Sequence, residues 1–164
     1  MRRPWKIAAG SALGILILLS VASLAFADLA EERVAYKAQV EPICKRNRQA
    51  NERVLKGVKK NIKEGKLKLA GSQFAKAAVA LKKARTQLVA VPQPPEDKAR
   101  LTKWLGYVKT EIGLFERVSK KLKAGDSYGA QRMALQLTST VNKANNTVLP
   151  YEFKYCKVQT SQFL

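Results

Sequence analysis

The sequence predicts an all-α protein: a four-helix bundle of up-down-up-down topology, preceded by an N-terminal signal or anchor helix. Three observations predict it. Apolar residues recur at helical spacing in four blocks, glycine and proline separate those blocks, and no run of alternating β-branched residues is long enough for a sheet. Short connections between the blocks make successive helices antiparallel neighbours.

Residues 1–27 read as an export segment. Met1-Arg2-Arg3-Pro4-Trp5-Lys6 is basic, and Ile7 to Ala27 is apolar, interrupted only by Gly10, Ser11, Gly14, Ser20 and Ser23. The run closes on Ala25-Phe26-Ala27, which offers the small residues a signal peptidase accepts, and polar Asp28 follows. Cleavage after Ala27 is the simplest reading. The alternative is an uncleaved anchor, because the run approaches the roughly 20 residues that span a bilayer. Arg2-Arg3 matches a twin-arginine signal only weakly, since Lys6 stands where an apolar residue is expected. Either way Arg2, Arg3 and Lys6 stay in the cytoplasm and the remainder lies outside, secreted or envelope-associated.

Residues 28–164 suit one domain with a real core: a lead-in over 28–41, then the bundle and its tail over 42–164. The lead-in carries a separate helical piece from Leu29 to Val40. The first bundle helix starts at Pro42, placed as a first-turn proline, runs through Ile43, Ala50, Val54, Val58 and Ile62, and stops at Gly65. The second opens after Gly71-Ser72 or slightly earlier and presents Phe74, Ala77, Ala78, Leu81, Ala84, Leu88 and Val91 before Pro92, Pro94 and Pro95 end it. The third begins near Pro95, with Glu96 and Asp97 complementing the exposed amides of its first turn. It repeats Leu101, Leu105, Val108, Ile112, Phe115 and Leu122 up to Gly125. The fourth takes Asp126 as N-cap and runs through Ala130, Met133, Leu137, Val141, Ala144 and Val148 to Pro150.

Two cysteines, Cys44 and Cys156, are the only thiols. In an exported chain they suggest a single disulfide. An even number of antiparallel helices brings the start of the first and the end of the fourth to the same end of the bundle, so the bridge is geometrically cheap. The alternative is two buried, unpaired thiols.

Several features together resemble a group of uncharacterised exported or lipid-anchored bacterial helical proteins. They are Cys44 with Asn47 and Asn51, the Val91-Pro92-Gln93-Pro94-Pro95 break, Trp104-Leu105, the Leu122-Lys123-Ala124-Gly125-Asp126 turn, and Leu149-Pro150-Tyr151-Glu152-Phe153-Lys154-Tyr155-Cys156. The resemblance spans nearly the whole mature chain and implies architecture without an activity. Where members have a lipobox cysteine this chain has Ala27-Asp28, which argues against lipid anchoring here.

The chemistry of sites is mostly excluded. No histidine occurs, so a di-iron bundle built on Glu-x-x-His pairs cannot form, and no metal or other cofactor is expected. There is no Cys-x-x-Cys, Gly-x-Ser-x-Gly or P-loop, and Ser119-Lys120-Lys121 is too generic for a serine–lysine pair. Glu111 and Glu116 fall on different faces of the third helix and read as two solvated carboxylates. No nucleophile and base can be paired, so no catalytic residue is assigned and the chain reads as non-enzymatic.

Asn47, Asn51, Asn142 and Asn145 fall on the first and fourth helices. If those helices are neighbours, facing amides form a polar layer that fixes register or lines a small ligand site; simple surface asparagines are the alternative. The Asn145-Asn146-Thr147 sequon is read as chance. Trp104, Tyr107 and Phe115, with Tyr151, Phe153 and Tyr155 of the tail, read as core packing and a cap over the bundle end.

The net charge is +19, and only Arg2, Arg3 and Lys6 of the basic residues lie in the leader. Lys45, Arg48, Lys56, Lys59, Lys60 and Lys63 recur along the first helix. The second adds Lys76, Lys82, Lys83 and Arg85, with no acid between Lys66 and Pro95. Adjacent helices would join these into a cationic strip able to follow an anionic envelope polymer or a membrane surface. A lysine-rich surface that only maintains solubility is the alternative. Nothing supports sequence-specific nucleic-acid recognition. Two functions therefore stand: a non-enzymatic envelope protein with a polyanion-binding face, and a small-molecule-binding or sensory bundle.

Overall fold

The computed structural model describes residues 15–163, with side chains from Asp28 to Phe163. Most of the signal-or-anchor assignment of residues 1–27 therefore lies outside the described residues. Among the described residues no helix is long and apolar enough to cross a membrane.

The chain is all-α, with no strand among the described residues. Helix α1 spans Ile15–Leu55, α2 Val58–Lys63, α3 Leu67–Val89, α4 Lys98–Lys123 and α5 Ser127–Thr147. Single 3-10 turns cover Pro95–Asp97, Leu149–Tyr151 and Thr160–Gln162. The four long helices pack in chain order, α1 on α3, α3 on α4 and α4 on α5. Their facing stripes bury Phe74, Leu81, Leu101, Trp104, Val118, Leu122, Leu137 and Val141. Each such side chain contributes about 1.5–3 kcal/mol.

Two boundaries differ from the sequence reading. Residues 28–41 are not a separate lead-in, because α1 runs unbroken through Pro42. Proline withholds only the bond to the Ala38 carbonyl, and burial of Tyr36 and Val40 before it and of Ile43 and Cys44 after it holds both sides to the core. The first helix also does not reach Gly65. It breaks at Gly57, whose φ of 76° is left-handed, so Val58 and Ile62 belong to the short α2. Helix α3 opens at Leu67, the slightly earlier start, so Gly71 lies inside it and packs tightly on α4: a Cβ there would stand 2.8 Å from the Ser119 carbonyl oxygen. The buried Ser119 hydroxyl donates to the Gly71 carbonyl at 2.6 Å, so this serine joins helices.

The N-cap at Asp126 is as the sequence predicts: its carboxylate accepts from the Gly129 amide at 2.7 Å. Asp97 does otherwise. It is buried and makes no cap bond; instead it accepts from Arg33 of α1, from Arg100 at 3.1 Å and from the Tyr151 hydroxyl at 2.9 Å. Those hydrogen bonds, led by that from Arg33, hold the Asp97 carboxyl below its usual range. Tyr36 meets the Tyr151 ring edge-on at 5.5 Å, so α1, α4 and the tail lock together at one end of the bundle.

Helices α1 and α5 scarcely touch. The gap between them is occupied by the C-terminal tail, residues 149–163. It runs parallel to α1 and antiparallel to α5, which makes it a fifth layer element instead of a cap. Cys156 in this tail is disulfide-bonded to Cys44 of α1, across 112 residues of sequence.

Candidate ligand site beneath the C-terminal tail

The tail has no regular structure for most of its length, so its backbone polar groups need partners from neighbouring helices. Helix α1 supplies most of them. Glu41 accepts from the Tyr155 amide at 3.0 Å and also from the Lys154 amide. Arg48 donates to the carbonyls of Lys154 at 3.3 Å and Lys157 at 3.1 Å. From α2, Lys59 reaches the Ser161 carbonyl at 2.8 Å. From α5, Asn145 grips Val158 twice, donating to its carbonyl at 2.9 Å and accepting from its amide at 3.2 Å. Apolar contacts complete the seat: Phe153 lies 5.6 Å from Trp104, and Phe163 the same distance from Phe115.

Below the tail, between α1, α3 and α4, a pocket of about 430 Å³ opens. Leu55, Leu81, Phe115, Val158 and Phe163 form its apolar walls, Asn47, Asn51 and Glu111 bring polar groups, and Arg48, Lys56 and Lys157 also border it. A smaller void of about 30 Å³, room for a water molecule, adjoins it beneath the disulfide and shares Glu111.

Glu111 is the unexpected residue. It is 2% exposed, and its carboxyl accepts no hydrogen bond from any described residue. Burial alone pushes its pKa up from 4.5 to about 8, so the group is mostly protonated at neutral pH. The reading of Glu111 and Glu116 as two solvated carboxylates is thus corrected for Glu111; Glu116 is exposed as expected. The reason is register. Glu111 stands three residues after buried Val108 and four before buried Phe115, inside the core-facing stripe of α4. A carboxylate at a core position of that repeat is the signal that could have found it.

The expected asparagine layer does not form, because the tail separates α1 from α5. Asn142 is exposed on the surface, and Asn145 is committed to Val158. Asn47 and Asn51 remain together: the Asn51 amide donates to Asn47 Oδ1 at 3.3 Å, and both line the pocket. Asn51 Oδ1 is buried and receives no donor. Half of the proposed set therefore reaches a site, on one helix instead of across two.

The basic residues divide similarly. Lys45, Lys56, Lys59, Lys60, Lys63, Lys76, Lys82 and Lys83 are exposed, and α1 does pack against α3. Several are already engaged: Arg48 and Lys59 hold the tail, Arg85 donates to the Leu105 carbonyl at 3.2 Å, Lys45 sits over the Tyr155 ring and Lys60 lies 3.7 Å from Glu64. Lys56, Lys63, Lys76, Lys82 and Lys83 have no partner among the described residues. Among the described residues no cluster of acidic or cysteine side chains is arranged to hold a metal.

No protein-family model matches the chain, and neither a curated protein nor a solved structure is significantly similar to it.

Proposed function

We propose that the protein is an exported, non-enzymatic binding protein that holds a small molecule in the pocket beneath its C-terminal tail. Glu111 carries the reading. A buried carboxyl without a partner costs stability, and a pocket of small-molecule size gives that cost a use. The disulfide fits an oxidising compartment, and the basic segment followed by the apolar run at the N-terminus fits an export leader. Thermal-shift screening of the oxidised protein against small polar-headed compounds tests the reading. Ligands that raise the melting temperature of the native chain should fail to do so when Leu81→Trp fills the pocket, and equal shifts in both would count against it.

A second reading rests on a separate observation, the unengaged lysines of the adjacent α2 and α3 and of the turn before α2. They would bind anionic polymer or lipid headgroups in the envelope as mobile point charges. Such binding should fall steeply between low and physiological salt; salt-independent binding to anionic vesicles would contradict it.

A further inference from the structure

Two acceptors that line this pocket receive no donor from any described residue. Glu111 presents a carboxyl, and Asn51 presents a buried amide oxygen whose own N–H is spent on Asn47. An occupant that satisfies both has to bring at least two donors. A carboxylate brings none: it can accept the single O–H of the protonated Glu111 carboxyl but leaves Asn51 Oδ1 without a donor. An alcohol brings one. A primary ammonium brings three, with the charge that a buried carboxylate lacks. The bordering cations do not replace it: Arg48 is committed to tail carbonyls, Lys56 is exposed, and Lys157 makes no ion pair with Glu111, whose shift has burial as its only cause.

We infer that the occupant is a small organic amine bound as its ammonium, which donates to the Glu111 carboxylate and to Asn51 Oδ1 while its hydrocarbon body lies against Leu55, Leu81, Phe115 and Phe163. This rests on the ligand-binding reading above. No covalent step is involved. Glu111 releases its proton as the ammonium seats, because the ion pair replaces the neutral acid. The charged groups bordering the site are Arg48 and Glu52 of α1, Lys56 in the turn after it and Lys157 of the tail; from α3 and α4 only Leu81, Glu111 and Phe115 face it.

Isothermal titration calorimetry of the oxidised protein at pH 7 with phenethylamine, 2-phenylethanol and 3-phenylpropionate tests the inference. The amine should bind at least about tenfold more tightly than either analogue, with close to one proton released per site when phosphate and MOPS buffers are compared. Glu111→Gln and Glu111→Met should each abolish that preference, while Glu116→Gln on the exposed face of the same helix leaves it intact. Retention of folded α-helical signal by either Glu111 variant keeps the comparison valid. Tighter binding of the alcohol or the carboxylate, lost in Leu81→Trp, would overturn the amine and keep the pocket. An amine preference that persists in both Glu111 variants would overturn the inference outright. Failure of all three probes to bind would overturn both the inference and the ligand-binding reading.

Discussion

Between pH 5 and 8, Glu111 is the carboxyl that shapes the stability of this protein. In the unfolded chain Glu111 loses its proton near 4.5, whereas in the fold it holds the proton up to about 8. Between those values the native state binds the extra proton, so its contribution is complete below about 4.5 and is lost as pH rises towards 8. The loss is on the order of a few kcal/mol. Asp97 acts with the opposite sign: its lowered pKa stabilises the fold above its ordinary value and fails only as pH drops further into acid. Thermal unfolding should therefore show a melting temperature that falls from pH 5 to pH 8. Glu111→Met, which fills similar volume without a charge, should flatten that slope and raise stability at pH 8 by roughly 1–4 kcal/mol. A wild-type profile already flat between pH 5 and 8 would show that Glu111 is solvated.

At the scale of elements, helix spacing and tail seating are the controlling features. Gly71→Ala places a methyl 2.8 Å from the Ser119 carbonyl oxygen and forces α3 away from α4, at a cost of about 1–3 kcal/mol. Gly106→Ala, in the middle of α4 with nothing within 4 Å of the new methyl, should instead stabilise by about 0.5–1 kcal/mol. Denaturant midpoints of the two variants moving in the same direction would contradict this account of the α3–α4 contact. The tail depends on side chains of other elements and on the Cys44–Cys156 bridge, worth roughly 4–5 kcal/mol in the chain-entropy picture. Reduction should speed amide exchange at Tyr155 and Val158 while α4 core amides such as Val118 keep their protection. Unchanged exchange at Tyr155 and Val158 would mean that the tail is seated without the bridge.

The helices were legible in the sequence because each carries its own periodic stripe and its own punctuation. Gly125 and Asp126 mark a real helix end and a real N-cap, and the two cysteines meet as an even helix count requires. Pro42 and Gly57 misled for one physical reason: a local preference yields to, or overrides, packing according to what its neighbours bury, and that is a tertiary fact. The tail was the larger omission. Lys154, Tyr155 and Val158 have no periodicity, and their seat is built from Glu41, Arg48 and Asn145, far away in sequence. Without the tail, the asparagines of α1 and α5 look like neighbours.

For the molecule as a whole, three helices and a disulfide-tied tail enclose one carboxyl that no described group neutralises, in a chain of net charge +19. Long-range attraction from that excess of positive charge would lower the pKa of any solvated carboxylate, so an elevated value requires real enclosure. A carbon-detected NMR titration of the Glu111 side-chain carboxyl in the oxidised, ligand-free protein reads this directly. The enclosure described here predicts a midpoint near 8. A midpoint in the ordinary glutamate range, about 4–5, would contradict it and remove the ligand site with it.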